Sequence, residues 1–91
     1  MERNRINLMP NSTILANIIK ASMEKKTVTI SYKNVKGVLS ERETEPYEVK
    51  GDKYWGYCLD KGGIRQFSLP NILEAKITNN KYSPRWDVKI N

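Results

Sequence analysis

The side chains in this sequence that could take part in recognition chemistry are basic and aromatic. Basic groups form charge-assisted hydrogen bonds with phosphates, and aromatic rings stack on unpaired bases. The basic candidates are Arg42, Lys61 and Arg65. The aromatic candidates are Tyr32, Tyr54, Trp55 and Tyr57. Together they predict a basic and aromatic rim that binds single-stranded nucleic acid or a nucleotide-type anion.

Most of these candidates fall in residues 54–72, whose pattern predicts two strands joined by a turn. Aromatic and β-favouring residues fill 54–59, residues 60–63 (DKGG) tolerate positive φ, and apolar alternation resumes at 64–69. On the return strand Arg65 shares its parity with Phe67 and Leu69, so the three side chains should lie on one face. An arginine is not deeply buried without a partner for its charge, so we expect Arg65 at the rim of the core with a partner or ligand.

Catalysis is disfavoured because the sequence contains no histidine and a single cysteine, Cys58. The sequence therefore lacks the usual neutral-pH base, any Ser-His or Cys-His pair, and the ligands of an ordinary zinc site. Four glutamates could hold a hard metal in principle: Glu41, Glu43, Glu45 and Glu48. However, alternating strand residues point to opposite faces, and no acid is fixed beside a base. We expect no catalytic residue, metal or cofactor. Cys58 is predicted to be a small, inward-facing packing residue with a slowly reacting thiol.

One helix and five or six short strands account for the periodicities of the chain. Apolar residues recur with a helical period over 14–23, after the potential N-caps of 11–13. Alternation predicts strands at 27–33, 38–44, 54–59, 64–69 and 72–78. Pro46 is expected to interrupt the ladder of the second strand. The C-terminal segment 82–91 contains Pro84 and Trp86, and within it residues 87–90 are predicted as one more edge strand or a loose tail.

The fold expected from these elements is α+β, mainly β. A flat sheet of so few residues would leave one face bare, so a small, bent, five-stranded antiparallel barrel capped by the helix is favoured. Four core residues are predicted: Ile18, Ile30, Phe67 and Leu69. The division expected along the chain is an N-terminal arm over residues 1–11 and the barrel domain over residues 12–91.

An ordered set of short motifs resembles the WYL domain family over about residues 14–77. The motifs are ASMEKK (21–26), VTISY (28–32), Arg42 with Pro46 four residues on, GYC (56–58) and RxFxLxxI (65–72). The resemblance implies an Sm-like barrel with a leading helix, in a bacterial or phage protein. It also implies a regulatory role in ligand binding, with nucleic acids or nucleotides as ligands. Most members join this domain to a helix-turn-helix, so a free-standing member would act by binding alone.

The family's polar site maps by this resemblance onto four positions: Tyr32, Arg42, Tyr57 and Arg65. The name-giving Trp-Tyr-Leu falls on Asp52, Lys53 and Tyr54, so the tripeptide is absent although Trp55 is adjacent. In the family, the arginine that matches Arg65 is commonly followed by two more, and here those two positions are Ser68 and Asn71. Fewer guanidinium groups weaken the expectation of phosphate binding, and they predict modest affinity.

A protein-interaction role is the second hypothesis. The chain would then be a phage or mobile-element factor that docks on a host protein, or a homo-oligomer. Either interaction would use the open edges of a short sheet, and Tyr82 and Trp86 would suit such contacts. The sixteen Lys and Arg against ten Asp and Glu give a net charge of +6, which favours phosphate-bearing or acidic partners. With no long apolar run, no membrane partner is expected and a cytoplasmic location is predicted.

Overall fold

The computed structural model describes residues 11–90, and the predicted arm lies outside them except for Asn11, which begins the helix. The helix α1 spans Asn11–Glu24. The strands are β1 (Lys26–Lys33), β2 (Leu39–Lys50), β3 (Lys53–Cys58), β4 (Gly63–Ser68) and β5 (Ile72–Lys81). A single 3-10 turn, Leu69–Asn71, joins β4 to β5. No helix among the described residues is long and apolar enough to cross a membrane.

The five strands form one antiparallel sheet in the order β4-β3-β2-β1-β5. The predicted class, one helix with five antiparallel strands, is confirmed. The predicted closed barrel is not observed, since no ladder among the described residues joins the edge strands β4 and β5. The sheet is nevertheless curled: three residues connect its two edges, and the Tyr32 ring on β1 lies 5.1 Å from that of Phe67 on β4.

The helix packs on one face of the sheet, here called the inner face, and the core lies between them. Ile14, Ile18 and Ala21 supply the buried stripe of the helix. The four predicted core residues are confirmed, with exposed fractions of 0% for Ile18 and Ile30, 6% for Phe67 and 8% for Leu69. Their burial provides the main stabilisation of a domain of this size.

Strand β2 runs six residues further than the predicted end at Thr44. Pro46 does not end the strand, because the ladder shifts its register between Pro46 and Glu48. Proline lacks an N–H to donate, and an irregularity in the ladder is where a strand tolerates that loss. The extension brings Glu45, Tyr47 and Glu48 onto the sheet.

Residues 82–90 are here called the C-terminal strap; Arg85 and Trp86 within it cover Tyr57 on the opposite, outer face of the sheet, whereas Ile90 packs against the core. The Tyr82 hydroxyl donates to the Pro46 carbonyl at 2.8 Å, and the Lys89 N–H donates to the Tyr47 carbonyl at 2.6 Å. A single parallel bridge pairs Glu48 with Lys89. Of residues 87–90, predicted as an edge strand or a loose tail, Lys89 alone pairs with the sheet, through this one bridge.

Candidate ligand-binding surfaces

The predicted site residues lie on both faces of the sheet. Directly paired residues of antiparallel strands share a face. Arg42 pairs with the buried Ile30, and Arg65 pairs with the buried Gly56. The inner face therefore carries Tyr32, Arg42 and Arg65, the outer face carries Trp55 and Tyr57, and Lys61 lies in the β3–β4 turn. The structure does not bring the six residues together as one rim.

Arg65 extends from the inner face at the exposed edge of the sheet. Its side chain makes no hydrogen bond or ion pair with any residue in 11–90, and the residue is exposed. Gly56, directly across on β3, has no side chain that could cover the guanidinium. No residue in 11–90 occupies the five donors of this guanidinium, and such donors bind anions from solvent.

Arg42 is tied to the hairpin turn by Asp60. Its NH1 donates to Asp60 Oδ2 at 2.8 Å, while the Cys58 thiol donates to Asp60 Oδ1 at 3.0 Å. The thiol hydrogen bond, followed by the charge of Arg42, lowers the pKa of Asp60 below its ordinary value. The ion pair places Arg42 beside the turn that contains Lys61, and it partly neutralises the guanidinium.

Cys58 is 1% exposed and faces inward, which confirms its predicted packing position. Burial, followed by the hydrogen bond to Asp60 and the charge of that carboxylate, raises the pKa of the Cys58 thiol. A raised pKa reduces the thiolate fraction at neutral pH, and the thiolate is the reactive form.

Two of the aromatic candidates take part in core packing, Tyr32 with part of its ring and Tyr54 completely. The half-buried Tyr32 ring meets Phe67 edge to face at an interplanar angle of 77°. Tyr54 is fully buried, and its hydroxyl lies 2.7 Å from Thr44 Oγ1, which itself donates to the Val28 carbonyl. Neither Tyr54 face is available to a ligand, so this member of the predicted aromatic set serves the core.

Tyr57 is covered on the outer face by the strap. The Arg85 guanidinium carbon lies 3.9 Å from the centroid of the Tyr57 ring, and the Trp86 ring lies 6.1 Å away. A cation in this position is attracted to the ring, so Tyr57 already has a stacking partner within the chain.

Arg85 is held in that position by a buried carboxylate. Its Nε and NH2 donate to Glu45 Oε1 at 3.0 Å and Oε2 at 3.3 Å. The Tyr47 hydroxyl also donates to Glu45 Oε1, at 2.8 Å, and accepts from the Arg85 N–H at 2.8 Å. The hydrogen bonds that Arg85 donates to Glu45 raise the pKa of Arg85, and burial raises the pKa of Tyr47. Glu45 is 4% exposed, so this network supplies the partners that a buried charge requires.

Trp55 contributes to an open cleft of about 600 Å³ between the strap and strands β2–β4. The sequence interpretation named Trp86 only as a residue suited to protein contacts, and it missed the strap's other contributions, which are Arg85 and the cleft residues Asp87 and Lys89. The adjacent arginine and tryptophan after Pro84 were the available signal, because exposed loop residues of these types are enriched at binding surfaces.

Comparison with known proteins identifies the class. The family model for the WYL domain matches residues 13–77, and the chain belongs to this family. Among solved structures, the fold is similar to that of proteasome accessory factor B/C (PafBC) of Arthrobacter aurescens, with a TM-score of 0.72 and 18% sequence identity. That match covers 88% of this chain and 14% of the PafBC chain. No curated protein matches the chain.

Proposed function

We propose that this chain is a regulatory, non-enzymatic ligand-binding domain that binds single-stranded nucleic acid or a nucleotide-type anion. Its membership of the WYL family supports the regulatory ligand-binding role. The observation that carries the choice of ligand is Arg65, a guanidinium exposed at a sheet edge with no partner among the described residues. An unpaired guanidinium of this kind forms strong, often bidentate, hydrogen bonds with phosphate.

The proposed site is built around the β3–β4 hairpin. Arg65 supplies the principal phosphate contact, and Lys61 in the turn supplies a second positive charge. Arg42 reaches the same turn through Asp60 and adds a third, partly neutralised charge. Tyr32 borders the inner face from β1 and offers its half-exposed ring. Trp55 and Tyr57 lie on the other face, so the proposed site does not include them.

The test is fluorescence anisotropy of dye-labelled single-stranded oligonucleotides and nucleotides at several salt concentrations. The label must be on the ligand, because both tryptophans lie on the outer side of the sheet. We expect Arg65→Ala to weaken binding by about 1.5 kcal/mol, the value of a charge-assisted hydrogen bond, and to reduce the salt dependence. Duplex DNA should bind more weakly because its bases are paired.

Lys20→Ala is the matched control, since it removes one positive charge from an exposed helix position away from the hairpin. Equal weakening by both variants would indicate attraction to net charge alone, and would contradict a site at Arg65. A fall in the melting temperature of the Arg65 variant without ligand would indicate a structural role.

The β1–β2 hairpin favours protein docking as a second candidate function. Three apolar side chains in or beside its turn are exposed: Val35 at 95%, Val38 at 57% and Leu39 at 56%. Apolar groups clustered in this way are typical of interaction surfaces. If the partner is a second copy of the chain, the mass measured by sedimentation should rise with protein concentration. Val38→Asp should reduce that rise. A mass equal to the monomer at all concentrations would exclude self-association.

A further inference from the structure

The cleft under the C-terminal strap combines aromatic walls with acidic groups. Its aromatic and apolar lining comprises Tyr47, Trp55, Ile64 and Trp86. Tyr47 is 4% exposed and meets the Trp86 ring edge to face at 5.3 Å, whereas Trp86 and Ile64 are 53% and 43% exposed. Exposed aromatic and aliphatic groups that converge on a concavity are typical of ligand sites, and about 600 Å³ is within the usual range of volumes.

The strap residues that form one wall of the cleft are anchored on both sides by contacts within the chain. On one side of Trp86, Arg85 is held by Glu45 and Tyr47. On the other side, the Lys89 N–H is bonded to the Tyr47 carbonyl. Trp86 and Asp87 therefore lie between two anchored points, opposite Trp55 on β3. A preformed site loses little conformational entropy on binding.

The charges in the cleft favour a cation. Two carboxylates, those of Glu48 and Asp87, line it with one ammonium, that of Lys89. Within residues 11–90, neither carboxylate forms an ion pair. The lining thus has a net negative charge in a chain whose net charge is +6. This charge repels phosphates and attracts ammonium or guanidinium groups, and aromatic faces add cation–π attraction.

We propose that this cleft binds an organic cation, meaning a guanidinium or alkylammonium group attached to an apolar chain. The cation would lie between Trp55 and Trp86, with Glu48 and Asp87 as its counter-charges. This site is separate from the proposed anion site, because Arg65 lies on the inner face and the cleft lies on the outer face. It carries a different chemistry and does not depend on nucleic-acid binding.

Intrinsic fluorescence tests the proposal directly, because Trp55 and Trp86 are the chain's two tryptophans and both line the cleft. The probes are arginine amide, tetramethylammonium and a capped pentapeptide, Ac-Ala-Val-Arg-Val-Ala-NH₂. The same pentapeptide with citrulline in place of arginine is the neutral control. We expect saturable fluorescence changes with the cations and at least tenfold weaker binding of the citrulline peptide, which corresponds to about 1.4 kcal/mol.

Glu48→Gln should weaken cation binding by about tenfold, or about 1.4 kcal/mol, because it keeps the shape and removes the charge. Asp52→Asn is the matched control: it neutralises an exposed carboxylate in the β2–β3 turn outside the cleft and should have no effect. Tighter binding of the pentapeptide than of arginine amide assigns the cation to a protein partner, and the reverse assigns it to a free small molecule. Equal binding of the citrulline peptide, or no fluorescence response to any cation, would overturn the proposal.

Discussion

Gly56 lies where the Tyr54 side chain folds back across the inner face of the sheet. A Cβ at this position would be 2.6 Å from the Tyr54 hydroxyl oxygen, 2.8 Å from its Cζ and 3.1 Å from Thr44 Cβ. These atoms belong to the fully buried Tyr54–Thr44 pair, which has no room to move aside. Packing therefore explains why the first residue of the GYC motif is a glycine.

We predict that Gly56→Ala destabilises the domain by about 2 kcal/mol or more, since the added methyl forces Tyr54 out of its position. Gly63→Ala is the control on the paired strand, directly across from Cys58, because a Cβ there meets no atom within 4 Å. It should change stability by no more than about 0.5 kcal/mol. Urea unfolding followed by circular dichroism measures both. Similar losses from both variants would contradict the steric explanation.

The Cys58 thiol should react slowly with a thiol reagent in the native protein and rapidly after denaturation. Because burial and the Asp60 carboxylate raise its pKa, the native rate should still be rising above about pH 8.5, the ordinary thiol value. The folded state holds the proton more tightly than the unfolded chain, so this thiol's contribution to stability is lost as the pH rises through that range.

Asp60→Asn separates the two causes of the raised Cys58 pKa, which are burial and the Asp60 carboxylate. It removes the negative charge and leaves Cys58 buried. The pH midpoint of labelling should fall, while the rate at full ionisation stays well below that of the denatured chain. An unchanged midpoint would show that burial alone sets the pKa.

At the scale of elements, the strap and β2 are stabilised by a buried carboxylate, whereas the β3–β4 turn has an exposed one. The Glu45 side chain is 5% exposed and that of Asp60 is 54% exposed, although each accepts from an arginine at 3.0 Å or less. A buried carboxylate that loses its partner regains less hydration than an exposed one, so the two ion pairs should differ in their effect on stability.

We predict that Arg85→Ala lowers the free energy of unfolding by about 2 kcal/mol, because it leaves Glu45 without its main partner. Arg42→Ala should cost at most about 1 kcal/mol, as expected for an exposed pair. Arg85→Lys keeps the charge but cannot donate from two nitrogens in the same plane, so an intermediate loss is expected. Chemical denaturation of the three variants provides the comparison. Equal losses from Arg85→Ala and Arg42→Ala would show that the strap contributes no more than an ordinary surface pair.

The helix and all five strands could be predicted from the sequence because each has its own period. The strap could not, since residues 82–90 show no period and are fixed by contacts with distant residues. Arg85 and Glu45 are 40 positions apart. The extension of β2 was also missed, because the irregular ladder that accommodates Pro46 depends on pairing with β3 and not on local preference.

At the scale of the whole molecule, strand register divides the candidate site between the two faces. The register pairs Gly56 with Arg65 and Tyr57 with Ile64. A shift of one residue in this hairpin would place Tyr57 on the face of Arg65, because side chains alternate between faces. The sequence gives the alternation within each strand but not the pairing between strands. The sequence could therefore supply basic and aromatic residues as candidates, but it could not show that they lie on two different faces of the sheet.

The two-faced arrangement predicts that the anion and cation sites act independently. Arg65→Ala should weaken oligonucleotide binding and leave the fluorescence titration with the arginine pentapeptide unchanged. Glu48→Gln should weaken binding of the arginine pentapeptide and leave oligonucleotide binding unchanged. Saturating pentapeptide should change the oligonucleotide affinity by less than about 0.5 kcal/mol, as expected for sites without shared contacts. A larger change in either direction would mean that the hairpin, which contributes to both faces, transmits binding from one face to the other. The domain would then couple two ligands through β3 and β4.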